Sequence, residues 1–152
     1  PILQTISAND FLQNKTLQQE VFGPYTLAIL CRDLLQLLEV ANSLHGQLTA
    51  GLIATPDELL QHAELIQTLQ HRCGRLIFNG VPTGVDVGWA MQHGGPWPAS
   101  SDSRFSAVGA DGIRRFLRPV AYQDCPPELL PDALQDENPL GIWRMVNNEW
   151  KR

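Results

Sequence analysis

The sequence contains few cysteines and no paired arrangement of them. Cys31, Cys73 and Cys125 are the only three in 152 residues, and no two form a C-x-x-C pair. An odd, widely spaced set is typical of reduced thiols in a cytosolic protein and not of a disulfide framework. No group of Cys, His and Asp has the spacing of metal ligands, so the sequence predicts no metal site.

The chain also has no basic character and no long apolar run. Its net charge of -5 argues against a nucleic-acid partner, and its acidic residues are scattered rather than grouped into a tail. The apolar runs are too short to cross a bilayer, and the N-terminus lacks a charged region followed by a hydrophobic one. We therefore expect a cytoplasmic protein with no membrane partner. An apolar content of 43% still allows a buried core.

Apolar strands and amphipathic helices alternate over the first half of the chain. We predict strands over 1–7, 25–31, 48–54 and 75–78, the last three buried. One helix opens at Asp33 and ends at Gly46, and a second runs from Thr55 to near Gly74. Thr55 and Glu58 form a capping box, with Pro56 at the first helical position. This order predicts an α/β fold with parallel strands joined by right-handed crossovers.

The pattern changes after Asn79, which we expect to form a turn with Gly80. Residues 80–106 are rich in Gly and Pro and predict a long irregular loop. A short helix over 109–117 and a strand over 118–123 follow. From residue 124 onward we expect an extended tail that is not a domain of its own. The predicted division is thus 1–109, 110–123 and 124–152.

The segment Glu20-Val21-Phe22-Gly23-Pro24 carries the clearest chemistry, directly before a predicted strand. A carboxylate held at a turn can accept hydrogen bonds from two neighbouring sugar hydroxyls. An aromatic ring two residues later can pack against a flat heterocycle. The simpler interpretation is a surface acid followed by a core phenylalanine.

With this motif and the ordered elements behind it, residues 1–123 resemble the C-terminal part of the aldehyde dehydrogenase superfamily. The matching features are E-x-F-G-P, the Ala41-Asn42-Ser43 element, the G-x-x-x-x-N-G strand of residues 74–80 and a Gly-Gly turn. Residues 80–85, 92–99 and 116–120, and parts of the tail, look like a bacterial subgroup. That subgroup contains 2-oxoglutarate semialdehyde (2,5-dioxovalerate) dehydrogenases and NADP-preferring fatty aldehyde dehydrogenases.

The resemblance implies a fold, a cofactor and partners. It implies the C-terminal part of a parallel-sheet, three-layer αβα catalytic domain, completed by the remainder of that domain. It implies that Glu20 binds the ribose next to the nicotinamide of NAD or NADP, with Phe22 beside the ring. The strand over 118–123 would lie in an oligomerisation arm, which implies a homo-oligomer, a dimer or tetramer. The implied substrate is an aldehyde, first 2-oxoglutarate semialdehyde and second a long-chain aldehyde.

His93 precedes the Gly-Gly turn, where many relatives have a phenylalanine that lines the aldehyde pocket. There it could contact a polar or carboxylate substrate, or it could only pack under the loop. Trp89 and Trp97 are further pocket residues, although loop packing explains them equally well. Cys31 beside Arg32 is a buried structural thiol rather than a nucleophile. Arg114 and Arg115 suggest a solvated helix face or subunit contacts.

The catalytic cysteine of the family lies well upstream of E-x-F-G-P. Only nineteen residues precede Glu20 here, and none is a cysteine. We therefore expect this chain to be a C-terminal fragment of an aldehyde dehydrogenase, inactive alone. The alternative is a non-catalytic oligomerisation or regulatory module that pairs with a full enzyme.

Overall fold

The computed structural model describes residues 1–82, 84 and 86–152. Thr83 and Val85, which belong to the subgroup-like stretch over 80–85, lie outside the described residues. The described chain divides into two compact units, Pro1–Leu117 and Arg118–Arg152.

The first unit alternates strands and helices as expected. Its strands are β1 (Ile2–Ser7), β2 (Tyr25–Leu30), β3 (Gln47–Leu52) and β4 (Cys73–Phe78). Its α-helices are α1 (Ala8–Gln13), α2 (Leu34–Ser43), α3 (Pro56–Gln61) and α4 (Ala63–Gln70). Short 3₁₀ helices cover Lys15–Gln18 and Ala110–Phe116. The described residues between Phe78 and Ala110 contain only turns, bends and irregular structure, as predicted.

The strands pair in parallel, which confirms an α/β arrangement. β1 pairs with β2 from Ile2 opposite Tyr25 to Ser7 opposite Leu30. β3 pairs with β4 from Gln47 opposite Cys73 to Leu52 opposite Phe78. Within the described residues these pairs form two separate two-stranded sheets.

The helix starts follow the local sequence. The Asp33 side chain accepts a hydrogen bond from the Gln36 amide at 2.8 Å, which begins α2. Thr55 and Glu58 form the predicted capping box of α3. Asn79 adopts a positive φ of 50°, and its side chain accepts from the Ala54 amide at 2.9 Å, so it shapes the turn after β4.

The second predicted helix is interrupted, contrary to expectation. His62 leaves helical geometry, with φ -114° and ψ 37°, and separates α3 from α4. His62 and His71 therefore flank α4 and do not lie within one helix. Gly46 does not cap α2, which ends at Ser43; Gly46 is instead a point of close backbone contact, described below.

The core of the first unit is small. Ala8, Phe11 and Val40 form one buried cluster. Leu38, Ala41 and Leu65 form a second. The expectation that β2, β3 and β4 are buried strands is wrong for this chain, because their residues are at best half-buried apart from Cys73. Leu30, Leu48 and Phe78 on these strands are exposed.

The second unit contains a hairpin, which the sequence pattern of the tail did not predict. β5 (Arg144–Val146) pairs antiparallel with β6 (Glu149–Lys151). Asn147 and Asn148 connect them with positive φ values of 53° and 64°, the geometry of a type I′ turn. The tail is therefore not simply extended.

The strand predicted over 118–123 does not form within this chain. Residues 118–122 have no regular secondary structure. A strand needs a neighbour to accept and donate its main-chain hydrogen bonds, and the part of the chain that the structure describes provides none here.

Candidate functional site

The loop before β2 carries Glu20 and Phe22. Main-chain hydrogen bonds of 2.8 Å hold its end, from the Tyr25 amide to the Gly23 carbonyl and from the Ile2 amide to the Pro24 carbonyl. Gly23 has a φ of 154°, a backbone conformation that side chains disfavour. The turn is therefore anchored to β1 and leaves Glu20 and Phe22 facing outward.

Glu20 and Phe22 line one cavity of about 630 Å³, together with Leu17, Gly23 and Leu27. Glu20 is exposed, and the Phe22 ring is 95% exposed. A carboxylate and an unburied aromatic ring at one cavity can accept hydrogen bonds from hydroxyls and cover a flat ring.

Glu20 also borders a second cavity of about 720 Å³. His45 and Gly46, just before β3, line this cavity together with Thr49 in β3 and with Pro98. Glu20 therefore lines both cavities. His45 shares this cavity with Glu20 although the two residues are 25 positions apart, so no local sequence pattern indicates that they are close.

His93 lines a third, smaller cavity of about 290 Å³, with Ser100, Asp102 and Arg115. Leu48 and Ala99 line both this cavity and the one beside Glu20. The cavities of Glu20 and His93 are therefore neighbours with a shared wall.

Hydrogen bonds fix the backbone of the His93 loop. The His93 amide donates to Ser106 Oγ at 3.0 Å, and the His93 carbonyl accepts from the Ala107 amide at 2.8 Å. Ser100 Oγ donates to the Gly95 carbonyl at 2.6 Å. Ser106 is buried, and its hydroxyl also donates to the Val108 carbonyl.

Three glycines let this loop approach β3 and β4. A Cβ on Gly74 would lie 1.8 Å from the Gly94 carbonyl oxygen, and one on Gly95 would lie 2.4 Å from that of Gln47. A Cβ on Gly46 would lie 2.0 Å from the Pro96 carbonyl oxygen. Any side chain at these positions would push the loop away from the strands, so the glycines set the position of His93.

Asp102 in the His93 cavity is neutralised by Arg104. Arg104 donates to the two Asp102 oxygens, with Nη2 at 2.6 Å and Nε at 2.9 Å. These side-chain hydrogen bonds, with a further one from the Arg104 amide, lower the pKa of Asp102 to about 2. The pair is exposed, so its charges are screened by water.

The two tryptophans predicted for the pocket lie mostly in solvent. Trp89 is 78% exposed and Trp97 is 77% exposed. The Trp97 carbonyl accepts a 3.2 Å hydrogen bond from the Gly46 amide, which ties its backbone to the start of β3. Their role beside an aldehyde stays a prediction, as do the roles of Glu20, Phe22 and His93.

Arg115, Ser100 and Asp102 were not predicted as site residues. Arg115 belongs to an R-R-F-L run that resembles any solvated helix face, and no local pattern marks its approach to residue 93. These residues come together with His93 because the long loop folds back onto β3 and β4. Such a contact between distant parts of the chain cannot be predicted from local sequence.

Two of the three thiols, Cys31 and Cys73, have environments that disfavour the reactive thiolate. Burial raises the pKa of Cys73. Burial, followed by the nearby charge of Asp33, raises the pKa of Cys31. Within residues 1–82, 84 and 86–152, no three His, Cys, Asp or Glu side chains lie together in a way that could hold a metal ion. Over the same residues, no helix is both long enough and apolar enough to cross a bilayer.

No protein-family model matches the chain. Two curated proteins are similar to it. The Alpha-ketoglutaric semialdehyde dehydrogenase of Acinetobacter baylyi is 53% identical over 134 residues, which cover 88% of this chain. The Alpha-ketoglutaric semialdehyde dehydrogenase 2 of Azospirillum brasilense is 48% identical over 143 residues, or 94% of this chain.

These matches confirm the resemblance that the motifs indicated. The similarity extends over most of the chain, and both relatives are dehydrogenases of the semialdehyde that the subgroup pattern suggested. The chain spans only about a quarter of the length of each relative, 26% and 27%.

Proposed function

We propose that this chain forms the C-terminal part of the catalytic domain of an NAD(P)-dependent aldehyde dehydrogenase. The whole protein would oxidise 2-oxoglutarate semialdehyde, which is another name for alpha-ketoglutaric semialdehyde, to 2-oxoglutarate. The high identity to two dehydrogenases of that aldehyde supports the proposal. A long-chain aldehyde is the second substrate class.

The observation that carries this proposal is the position of Glu20. Its carboxylate borders the cavity of Phe22 and also the cavity that adjoins His93. In the proposed enzyme Glu20 accepts hydrogen bonds from the ribose hydroxyls, and Phe22 packs beside the nicotinamide. The aldehyde then approaches from the side of His93.

The residues present fit a nicotinamide nucleotide. The exposed Glu20 carboxylate can accept hydrogen bonds from two hydroxyls. The Phe22 ring is 95% exposed and provides an apolar surface against which the flat nicotinamide ring can pack. The bound cofactor, NAD or NADP, would supply the hydride acceptor. Glu20 and Phe22 would orient it, and orientation is a large part of the rate in such reactions.

The reaction balances with water as co-substrate. One aldehyde, one water and one oxidised cofactor give one carboxylic acid, one reduced cofactor and one proton. The thiolate that attacks the aldehyde carbonyl would come from the part of the protein outside this chain. Within this chain His93, Trp89 and Trp97 are the proposed substrate-pocket residues.

We propose that the remainder of the catalytic domain covers the outer faces of the strands. Ile2, Leu3, Leu30 and Phe78 are exposed on β1, β2 and β4, and both parallel sheets have open edges. Apolar surface and unpaired strand edges of this kind favour association with further structure. In the whole protein residues 1–109 would complete a three-layer αβα domain.

We further propose that residues 110–123 include the assembly arm of a homo-oligomer, a dimer or tetramer. Val120 and Tyr122 are exposed in a segment without regular secondary structure. Pairing with a strand of a second copy would satisfy its main-chain groups. Residues 124–152 would form the tail over that neighbour, in a cytoplasmic protein.

The test is an assay of the full-length protein. It is mixed with 2-oxoglutarate semialdehyde, pentanal or a long-chain aldehyde, each with NAD⁺ and with NADP⁺, and reduced cofactor is followed by absorbance. We expect reduction that depends on the aldehyde and is fastest with 2-oxoglutarate semialdehyde. No reduction with any pair of reagents would overturn the proposal.

A further inference from the structure

The His93 cavity is lined by a cationic side chain, Arg115, to which the proposed function assigns no role. Arg115 lies at the end of the Ala110–Phe116 helix and lines this cavity of about 290 Å³ with His93. This volume is at the small end of the range for ligand pockets, roughly 300–1,000 Å³. It suits a short ligand better than a long alkyl chain.

Arg115 differs from its neighbours in its charge partners. Arg114 forms an ion pair with Asp111 at 3.3 Å, and Arg104 pairs with Asp102. Among the described residues, Arg115 has no ion pair. Because Arg104 compensates the charge of Asp102, Arg115 leaves the cavity with a net positive character.

The cavity wall is held in place before any ligand arrives. The His93 amide and carbonyl are both hydrogen-bonded to the segment of Ser106 and Ala107. Close backbone contacts of Gly74 and Gly95 with the loop and β3 limit its movement. A fixed wall reduces the entropy lost when a charged ligand is bound.

We propose that Arg115 and His93 form a carboxylate subsite that binds the 2-oxo acid end of the substrate. The planar guanidinium donates to the carboxylate, and an imidazole N–H of His93 adds a hydrogen bond to the carboxylate or the 2-oxo group. Leu48 and Ala99 line both this subsite and the cavity beside Glu20, so a substrate held here by its 2-oxo acid end would extend its aldehyde end toward the side of Glu20. This inference rests on the proposed function, whose substrate it makes specific.

The first experiment is binding of 2-oxoglutarate to the full-length protein by isothermal titration calorimetry. 2-Oxoglutarate is the product of the proposed reaction and keeps the same 2-oxo acid end. We expect Arg115→Ala to weaken binding about 10- to 100-fold, the effect of losing a charge-assisted hydrogen bond. The affinity of Arg115→Lys for 2-oxoglutarate should lie between those of the wild type and Arg115→Ala. The lysine ammonium keeps the positive charge but cannot donate two parallel hydrogen bonds to a carboxylate as a guanidinium can. Arg114→Ala is the matched control and should bind as the wild type does.

The second experiment compares two aldehydes. Arg115→Ala should raise KM for 2-oxoglutarate semialdehyde by a similar factor and leave kcat/KM for pentanal, which has no carboxylate, within about twofold. Equal losses on both aldehydes, or equal binding of 2-oxoglutarate by wild type and Arg115→Ala, would overturn the subsite. If the wild type binds 2-oxoglutarate through Arg115 but reduces no cofactor with any aldehyde, the proposed function fails and the subsite stands.

Discussion

Replacement of Gly74 by alanine tests whether the strand–loop contact positions His93. Gly74 lies in β4, and an added Cβ would be 1.8 Å from the Gly94 oxygen, 2.5 Å from the Gly94 carbon and 3.0 Å from Gly95 Cα. All three atoms belong to the backbone. No side-chain rotation can relieve the overlap, so the loop or the strand must move.

The size of the movement follows from ordinary contact distances. A Cβ normally stays 3.4 Å or more from such atoms, so the loop must retreat by more than 1 Å. Overpacking of this kind costs roughly 1–3 kcal/mol of stability. A displacement of about 1 Å at a reacting centre can cost about 100-fold in rate.

The assay uses the full-length protein and two readouts. We expect Gly74→Ala to lower the melting temperature and to lower kcat/KM for the aldehyde by about 10- to 100-fold. The cofactor KM should change less, because the clash falls on the His93 loop and not on the loop of Glu20. Gly88→Ala is the matched control, since a Cβ there meets nothing within 4 Å.

The reasoning would be refuted if Gly74→Ala had the melting temperature of the wild type and the same kcat/KM for the aldehyde. It would also be refuted if Gly88→Ala had the same effect, since the loss would then reflect any change of glycine in this region and not the contact.

Two further predictions concern titratable groups. Because the folded pKa of Asp102 is depressed to about 2, its contribution to stability is present above its unfolded value of 3.8 and is lost as the pH falls from there toward 2. The melting-temperature difference between wild type and Arg104→Met should therefore be smaller at pH 3 than at pH 6, and a constant difference would contradict the pairing. Iodoacetamide should label the buried Cys73, whose pKa is raised by burial, more slowly at neutral pH than the half-buried Cys125, as measured by peptide mass spectrometry. Labelling of Cys73 and Cys125 at one rate would contradict the assigned environments.

Local chemistry allowed accurate prediction of several elements. The Thr55 capping box and the Asp33 cap depend on side chains three residues from their backbone partners, so the sequence contains the whole interaction. The β5–β6 hairpin was equally local. Its turn is formed by Asn147 and Asn148, a residue type that tolerates the positive φ values this turn requires.

The burial of the strands and the full set of site residues could not be predicted without knowledge of the tertiary contacts. The apolar run over 25–31 predicts a strand covered on both faces, yet Leu30 is exposed because the described chain contains no element to cover it. Glu20 could be singled out because its motif is contiguous. Arg115 could not, since its approach to His93 depends on close contacts of Gly74 and Gly95 that are distant in sequence.

The measurement that most directly tests the central claim is cofactor kinetics of Glu20→Gln in the full-length protein. Glutamine keeps the size of the side chain and removes the charged acceptor for the ribose hydroxyls. Glu39→Gln, on the exposed side of α2, is the matched control. We expect Glu20→Gln to lower kcat/KM for the cofactor roughly tenfold or more while the melting temperature stays that of the wild type. Unchanged turnover and unchanged cofactor affinity would contradict the account, because Glu20 would then not hold the ribose of the cofactor.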